Sequence, residues 1–255
     1  MSYFDIQVVA NESDGQVPVN TFGRRTTVNT SHGIVDVWKG ATGTWVPPTQ
    51  ARKHNIASAS ANDTAAGTGA RTVKVRGLKT WADAESSEVV TMNGTSNVET
   101  ANAYVMINGL EVLTAGSSKT NAGAITATAQ TDSTVTAIIA AGSGADEENE
   151  ATAAILGIPS TQDFYLLSFW ASLTGSTGAV GDLGVRVMEN ADQGDAVFRV
   201  KKRFSLARTG TPVFIFPFSP ALKVAGPAII KASSLSVSMD GSNISAGFDG
   251  VIRER

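Results

Sequence analysis

The residue types that carry out most protein chemistry are scarce in this sequence of 255 residues. It has no cysteine, which excludes disulfides, thiolate catalysis and cysteine-ligated zinc. Its two histidines, His32 and His54, form neither an H-x-x-x-H nor an H-E-x-x-H pattern, so we interpret both as polar surface residues. No G-x-S-x-G segment marks a nucleophilic serine. The sequence therefore predicts no catalytic residue, no metal site and no cofactor.

Two glycine-containing segments have some features of phosphate-binding loops. The first, AAGTGAR at 65–71, precedes a strand-like run, whereas a dinucleotide-binding loop follows a strand and opens a helix. The second, AGSSKT at 115–120, lacks the first glycine of a Walker loop at the required spacing, and no helix follows it. We interpret both segments as turns.

Charged clusters offer few ligand sites. The acidic residues at 146–150 lack the alternating spacing and the glycine turn of a calcium loop, so a solvated linker is the preferred interpretation. Basic patches lie at Arg24-Arg25 and at 199–203, and either could pair with an acidic partner subunit. The net charge of −3 and the pI of about 5.4 provide no basic field for a nucleic-acid backbone. We expect no nucleic-acid partner.

The composition favours sheets and turns over exposed helices. Charged residues make up 17% of the chain, below the roughly 25% of an average globular protein, while Gly, Ser, Thr and Ala are plentiful. No apolar run reaches the ~18 to 20 residues of a membrane-spanning helix, so no membrane is expected as a partner. The first residues lack the pattern of a secretory signal, and we expect the protein to be made and kept in the cytosol.

Apolar and polar residues alternate in many short segments, as in β-strands with one solvated face. The pattern is clear at 71–78, around Val185, and again at 196–201, while 164–173 is apolar on both faces. Phe214, Phe216 and Phe218 line one face of a proline-rich run, which indicates an edge strand or a bulge. The predicted fold class is all-β, with two β-sandwich or jelly-roll-like domains preceded by an extended N-terminal arm.

Turn signals suggest how some strands connect. Asn93-Gly94 is expected to reverse the chain, and Asp240-Gly241 to close a hairpin. The apolar segment 104–107 is predicted to lie in the middle of its sheet. Predicted core positions, chosen by alternation, are Val73, Val75, Tyr104, Ile107, Phe169, Val185, Val187, Phe198, Phe216, Val237 and Phe248.

The domain boundaries follow from composition. We predict an arm at 1–55, a first β-domain at 56–140 and a second at 151–255, with the Gly- and Glu-rich segment 140–149 as linker. Around 146–158 two signals disagree. An acidic first turn with Gly157 and Pro159 behind it favours a helix. The short length and the strand-like neighbours favour a strand, which is our prediction.

The arm contains aromatic residues in a segment too broken by Gly, Pro and Asn to bury them alone. Trp38 and Trp45 therefore need a surface elsewhere, either on their own domain or on a neighbouring subunit. We predict that the arm makes the main contact between subunits, with Trp38 and Trp45 as anchors and with Arg24 and Arg25 paired to acidic groups of the partner.

Several segments together resemble a family of virion structural proteins of tailed bacteriophages, common in aquatic and environmental phages. The resemblance is carried by SANDTAAGTGARTVKVRGL at 60–78, EVVTMNG at 88–94 and LTAGSSKTNAGAITATA at 113–129. It continues through Ile158-Pro159, FYLLSFWASL and LGVRVM to SAGFDGVI at 245–252, and so covers most of the chain. None of these motifs is catalytic. What the resemblance implies is a non-enzymatic part of a phage particle, and a strand rather than a helix at 151–158.

The leading hypothesis is a capsid decoration (cement) or head-fibre subunit, assembled into virions in the host cytoplasm. Its expected partners are the major structural protein and neighbouring copies in a homo-oligomer. A tail or neck component, such as an adaptor, a nozzle part or a fibre-anchoring protein, is the first alternative. A carbohydrate-binding module, with Trp45, Trp81 and Trp170 as stacking platforms, is the second. An enzyme is the last alternative.

Overall fold

The computed structural model describes residues 15–40, 43–142, 149–208 and 213–255. Within these ranges the chain forms antiparallel sheets and a single 3-10 turn at Thr30–His32, so the all-β prediction is confirmed. The strands, in chain order, are β1 Gln16–Val28, β2 Val35–Asp36, β3 His54–Ser58, β4 Ala70–Leu78, β5 Ser86–Thr91, β6 Val98–Glu99, β7 Met106–Ala115, β8 Ile125–Ala129, β9 Val135–Ile139, β10 Ile155–Ile158, β11 Gln162–Thr174, β12 Val180–Glu189, β13 Phe198–Ala207, β14 Val213–Ala225, β15 Ala228–Val237 and β16 Ser242–Glu254.

The chain divides into two compact units that do not follow one another along the sequence. One, which we call the split unit, combines the described part of Met1–Trp38 with Ala153–Arg255. The other, the inserted unit, is Lys39–Thr152. The predicted order of arm, first domain and second domain is therefore wrong, because the N-terminal segment belongs to the same unit as the C-terminal half.

Two sheets build the split unit. Sheet A has the order β1-β16-β11-β14, and sheet B has the order β10-β15-β12-β13 with β2 also paired to β15. Alternate residues of both sheets enter one hydrophobic cluster, in which Phe164, Phe169 and Phe248 from sheet A meet Leu183 and Val185 from sheet B. All five side chains are fully buried. Period-two alternation places every second residue of these strands in that core.

The N-terminal segment is not a free arm, because β1 is part of a sheet. It pairs with β16 from Gln16↔Arg253 to Val28↔Ser242, so residues 16–28 form an edge strand of sheet A. The partner strand of β1 lies more than two hundred positions away in the sequence. Composition near the N-terminus cannot reveal such distant partners. The apolar residues at 3–9 of the predicted arm lie outside the described residues.

β2 and β10 lie end to end along the same neighbour. Val35 and Asp36 pair with Ser234 and Ser233, and β10 continues the ladder from Ile155↔Lys231 to Ile158↔Ala228. Between them the amide of Ala154 donates to the carbonyl oxygen of Val37 at 3.0 Å. The two segments thus form one interrupted strand, and the inserted unit leaves and rejoins the split unit at that interruption.

The inserted unit also has two sheets with a shared core. Their orders are β6-β3-β8-β9 and β5-β4-β7. Ile56 and Ile125 from the first sheet pack in one cluster with Val73, Val75 and Leu110 from the second. The strand predicted at 71–78 is confirmed as β4, which is the central strand of its sheet. The segment 104–107 was predicted to be central, but its last two residues begin β7, which is an edge strand.

Three further expectations concern β10, Phe198 at the start of β13, and β14. The predicted strand within 146–158 is present as β10, with isolated bridges at Glu150, Ala151 and Ala153, while 143–148 lies outside the described residues. Phe198, predicted to be core, is only half-buried, on the face of sheet B turned away from the core. The β14 run is an edge strand, as predicted.

Candidate functional site

The four predicted interface residues do not form one surface. Trp38 and Trp45 are buried, at 2% and 1% exposure, in the split and the inserted unit respectively. Trp38 forms a β-bridge with Ala153, and the Nε1 of Trp45 donates to the backbone oxygen of Thr136 at 3.0 Å. Both side chains therefore pack within their own chain, and their prediction as exposed anchors is wrong.

Arg24 and Arg25 lie on β1, opposite Ser245 and Ile244 of β16, and both are half-buried. Successive residues of a strand point to opposite faces, so the two guanidinium groups do not present a joint basic patch. Burial lowers the pKa of Arg25 below its usual value. Whether either arginine pairs with another subunit remains a prediction.

An apolar row crosses the outer face of sheet A. Register places Phe22 beside Gly247, Gly247 beside Trp170, and Trp170 beside Ile215, so these residues of four adjacent strands share one face. It is the outer face, because the neighbouring Phe169 and Phe248 point into the core. Ile215 is 68% exposed and Phe22 is 38% exposed. We call Phe22, Gly247, Trp170 and Ile215 the outer row.

Gly247 allows the indole of Trp170 to lie across the sheet. A Cβ at position 247 would stand 2.7 Å from both Cε2 and Cζ2 of Trp170, which is too close for any other residue. Beside the outer row runs a polar one, in which the hydroxyl of Ser168 donates to Asp249 at 2.7 Å. A partly exposed aromatic group with a polar border is the arrangement common to interface cores.

Asp63 organises the segments that resemble the phage family. Its buried carboxylate accepts hydrogen bonds from the backbone amides of Ala70, Ala122 and Gly123, at 2.6, 2.8 and 2.9 Å, and from the hydroxyl of Ser58. The motif at 60–78 and the motif at 113–129 are therefore two parts of one hydrogen-bonded cluster. We call it the Asp63 cluster.

The Asp63 cluster places the chain's own carboxylate where a phosphate-binding loop would hold its anion. Backbone amides that converge on one point form an anion site. Here that point is occupied by the chain's own carboxylate. A Cβ at Gly69 would lie 2.1 Å from Oδ1 of Asp63, so the glycine is needed to admit the carboxylate. This is consistent with our interpretation of 65–71 as a turn.

His54 is the second residue whose environment the sequence did not indicate. It was predicted to lie on the surface, but it is fully buried in β3, and its Nδ1 lies 3.0 Å from the backbone oxygen of Arg52. Burial lowers the pKa of His54 to about 4, against smaller opposing effects of the hydrogen bond to the Arg52 carbonyl and of Asp132. His32, in contrast, is exposed, as predicted.

The buried His54 should make the protein sensitive to acid. Its folded-state pKa of about 4 lies below the ordinary value of 6.5, so between these values the unfolded chain binds a proton that the folded chain does not. Stability should be intact above pH 6.5 and fall by about 3 kcal/mol as the pH drops towards 4. Urea denaturation across this range would measure the loss.

His54→Asn, which retains a donor for the Arg52 carbonyl, should remove this part of the pH dependence, and His32→Asn should leave it unchanged. The quantity to compare is the free energy of unfolding of variant and parent at each pH. Carboxylates contribute equally to both profiles, so the difference between the profiles reports His54 alone. Identical slopes for the parent and His54→Asn would contradict the assignment.

A buried charge cluster lies on the face of sheet B turned away from the core. The Nζ of Lys231 donates to Oδ2 of Asp36 at 2.6 Å, and the hydroxyl of Ser233 donates to Oδ1 at 2.6 Å. Lys231, Asp36 and Ser233 are all fully buried. Arg186, the cross-strand neighbour of Lys231, places Nη1 3.7 Å from Oδ1 of Asp36. Two cations thus surround one carboxylate.

Two further kinds of feature are absent from the described ranges. No group of three or more His, Asp or Glu side chains in them is arranged to hold a metal ion. The acidic cluster considered in the sequence lies mostly outside these ranges, and only Glu150 is described. No helix in the described part of the chain is long and apolar enough to cross a membrane.

No protein-family model matches the chain, and no curated protein matches it. Among solved structures, the chain is similar to the VP2 subviral particle of infectious bursal disease virus, with 10% identity over 100% of this chain and 78% of that chain and a TM-score of 0.20. It is also similar to the structure of the Gt strain of the same virus, with 9% identity, coverage of 100% and 85%, and a TM-score of 0.15. TM-scores this low do not establish a shared fold.

Proposed function

We propose that this chain is a non-enzymatic structural protein of a phage particle, acting as a capsid decoration, cement or head-fibre subunit that binds neighbouring subunits. The observation that carries the proposal is the strand order of the split unit. The resemblance of the sequence to the phage family supports the same proposal.

The strand order supports a jelly roll. If β2 and β10 are counted as one interrupted strand, the eight strands of the split unit, numbered along the chain, are arranged 1-8-3-6 in sheet A and 2-7-4-5 in sheet B. Sheets in which distant strands alternate in this way arise when one long antiparallel hairpin wraps around a core. Jelly rolls recur in viral capsid and lectin domains. The inserted unit is then a second, smaller β-sandwich carried by the first.

The outer row is the proposed contact surface for a neighbouring subunit of the particle. Its exposed apolar groups lie on a rigid four-stranded sheet, and aromatic residues are enriched where protein interfaces are fully buried. Covering apolar surface contributes ~25 cal/mol per Å² before the cost of association is subtracted. This surface replaces Trp38 and Trp45 as the expected source of binding energy.

Charge on the outer row should prevent incorporation into particles. A buried aromatic anchor commonly contributes ~2 kcal/mol or more to an interface, and an unpaired buried charge adds a further cost. We therefore expect Ile215→Arg and Trp170→Ala to remain folded but to be lost from purified particles. Quantitative mass spectrometry of the particles against the major structural protein would measure the copy number.

Val89, which is 55% exposed in the inserted unit, offers a matched control. Val89→Arg should leave the copy number unchanged. The proposed interface is wrong if Ile215→Arg is incorporated as well as the control. In the parent particle, a capsomer-like copy number supports the head assignment, and a ring-like number supports a tail or neck component instead.

The partly exposed indole of Trp170 also favours a second candidate function, which is glycan binding. The same variants distinguish the two. Glycan-array binding by the isolated protein that Trp170→Ala abolishes would assign the outer row to a sugar, whereas particle incorporation lost without any glycan binding assigns it to a subunit.

A further inference from the structure

Lys231 and Asp36 are an unusual pair for an ionic contact. Both side chains have 0% exposure, and Nζ of Lys231 lies 2.6 Å from Oδ2 of Asp36. The ammonium group also lies 3.7 Å from the ring centre of Phe198, which covers it with an aromatic face. Buried ion pairs lose hydration that their mutual attraction only partly replaces. The environment therefore favours any state in which the two groups carry no charge.

Loss of hydration acts directly on the amine. Burial lowers the pKa of Lys231, while Asp36 opposes this effect and Arg186 adds to it. Transfer of one proton along the 2.6 Å hydrogen bond converts the ammonium–carboxylate pair into a neutral amine beside a neutral carboxylic acid. These are the forms in which an amine is nucleophilic and a carboxyl carbon is electrophilic.

The other carboxylate oxygen faces two groups that would stabilise negative charge. The hydroxyl of Ser233 donates to Oδ1 at 2.6 Å, and Nη1 of Arg186 lies 3.7 Å from the same atom. Nε and Nη1 of Arg186 are buried and have no hydrogen-bond partner within the described residues. Donors directed at an oxygen that gains charge during a reaction form an oxyanion hole. Oδ1 is such an oxygen if the carbon beside it is attacked.

We propose that Lys231 and Asp36 condense into a side-chain amide, an isopeptide bond between Nζ and Cγ. The neutral amine attacks Cγ, and the charge that develops on Oδ1 is held by Ser233 and Arg186. A proton from Nζ passes to the hydroxyl derived from Oδ2, the Cγ–O bond breaks, and one water molecule leaves. Nζ keeps one hydrogen as the amide N–H. The step needs no oxidant, reductant or external reactant.

Proximity favours the reaction, because the two groups are held together by strands and not by chance encounters. Lys231 lies on β15, and Asp36 lies on β2 opposite Ser233 of the same strand. The bond would tie β2 to β15 two residues before the inserted unit leaves at Trp38. In a chain with no cysteine, it would supply the kind of covalent link that a disulfide gives many extracellular proteins.

The chain contains a matched pair that should not react. Nζ of Lys223 lies 2.7 Å from Oδ2 of Asp163, almost the same distance, but the Lys223 side chain is 52% exposed. Its pKa is raised by the hydrogen bond to Asp163, so the amine stays protonated. Water also hydrates both charges. Distance is thus common to the two pairs, and burial distinguishes them.

Intact-mass spectrometry of the denatured full-length protein tests the proposal. The expected mass is that of the sequence less one water, and proteolysis should yield one branched peptide that joins the Asp36 and Lys231 fragments. Lys231→Arg and Asp36→Ala should restore the full mass, Lys223→Arg should keep the deficit, and Ser233→Ala should slow its appearance in fresh protein. A full mass for the parent protein after prolonged incubation would overturn the proposal, and this result depends on no variant.

Discussion

Replacing Asp63 with alanine should lower the free energy of unfolding by about 3 kcal/mol or more, since the buried amides of Ala70 and Gly123 and the buried hydroxyl of Ser58 lose their acceptor at ~1 to 3 kcal/mol for each unsatisfied group. Ala122 is exposed, so its amide can bond to water instead. The three amides lie in two separate segments. Both segments should loosen together. Urea denaturation at neutral pH would measure the loss.

Two variants calibrate this effect. Asp83 is exposed, and its carboxylate accepts a hydrogen bond from the hydroxyl of Thr80, so Asp83→Ala should change stability by no more than ~0.5 kcal/mol. Asp63→Asn keeps one acceptor oxygen, so its loss of stability should lie between those of Asp63→Ala and Asp83→Ala. A loss below ~1 kcal/mol for Asp63→Ala would show that the amides find other acceptors, and that the Asp63 cluster is not a structural centre.

Truncation through Val28 should unfold the split unit and leave the inserted unit folded. The deletion removes β1 from sheet A, and with it the partner of eleven residues of β16. Inner residues of β16 such as Ile244, Ala246 and Phe248 are fully buried in the parent protein and would lose their cover at that edge. Hydrogen exchange should show protection lost in β11 and β16 and retained in β4 and β8.

A single substitution tests the same packing. A Cβ at Gly23 of β1 would lie 2.1 Å from the Val37 oxygen and 2.5 Å from the Ala154 nitrogen, so Gly23→Ala should destabilise the split unit by ~1 to 3 kcal/mol. Gly194→Ala, with no atom within 4 Å of the added carbon, should be nearly neutral. Full protection of β11 and β16 in the chain truncated through Val28 would contradict the expected unfolding of the split unit.

The sequence predicts strands well here because alternation is local. β4, β11, β12 and β14 all follow from the spacing of apolar residues along a few positions. Pairing between strands was not predictable in the same way. Asp240-Gly241 does turn, with φ of +72° at the glycine, but the turn joins β15 of sheet B to β16 of sheet A instead of closing a hairpin.

The candidate sites were missed for the same reason. Asp63 meets Ala122 and Gly123, and Asp36 meets Lys231, only after strands far apart in sequence have paired. One signal was available for the Asp63 cluster, because the two motifs that resemble the phage family contain its two parts. For the Lys231 pair, an isolated lysine in an otherwise apolar segment, AIIKAS, was the sole indication that a charge would be buried.

The pairing of β1 with β16 has a consequence for protein synthesis. The inserted unit is complete once Thr152 has left the ribosome, but β1 gains its partner only when the last strand, ending at Glu254, emerges. We expect the inserted unit to fold first while β1 waits with an unpaired edge. Where many ribosomes translate one message side by side, β1 is the strand through which neighbouring nascent chains would exchange elements and form swapped dimers.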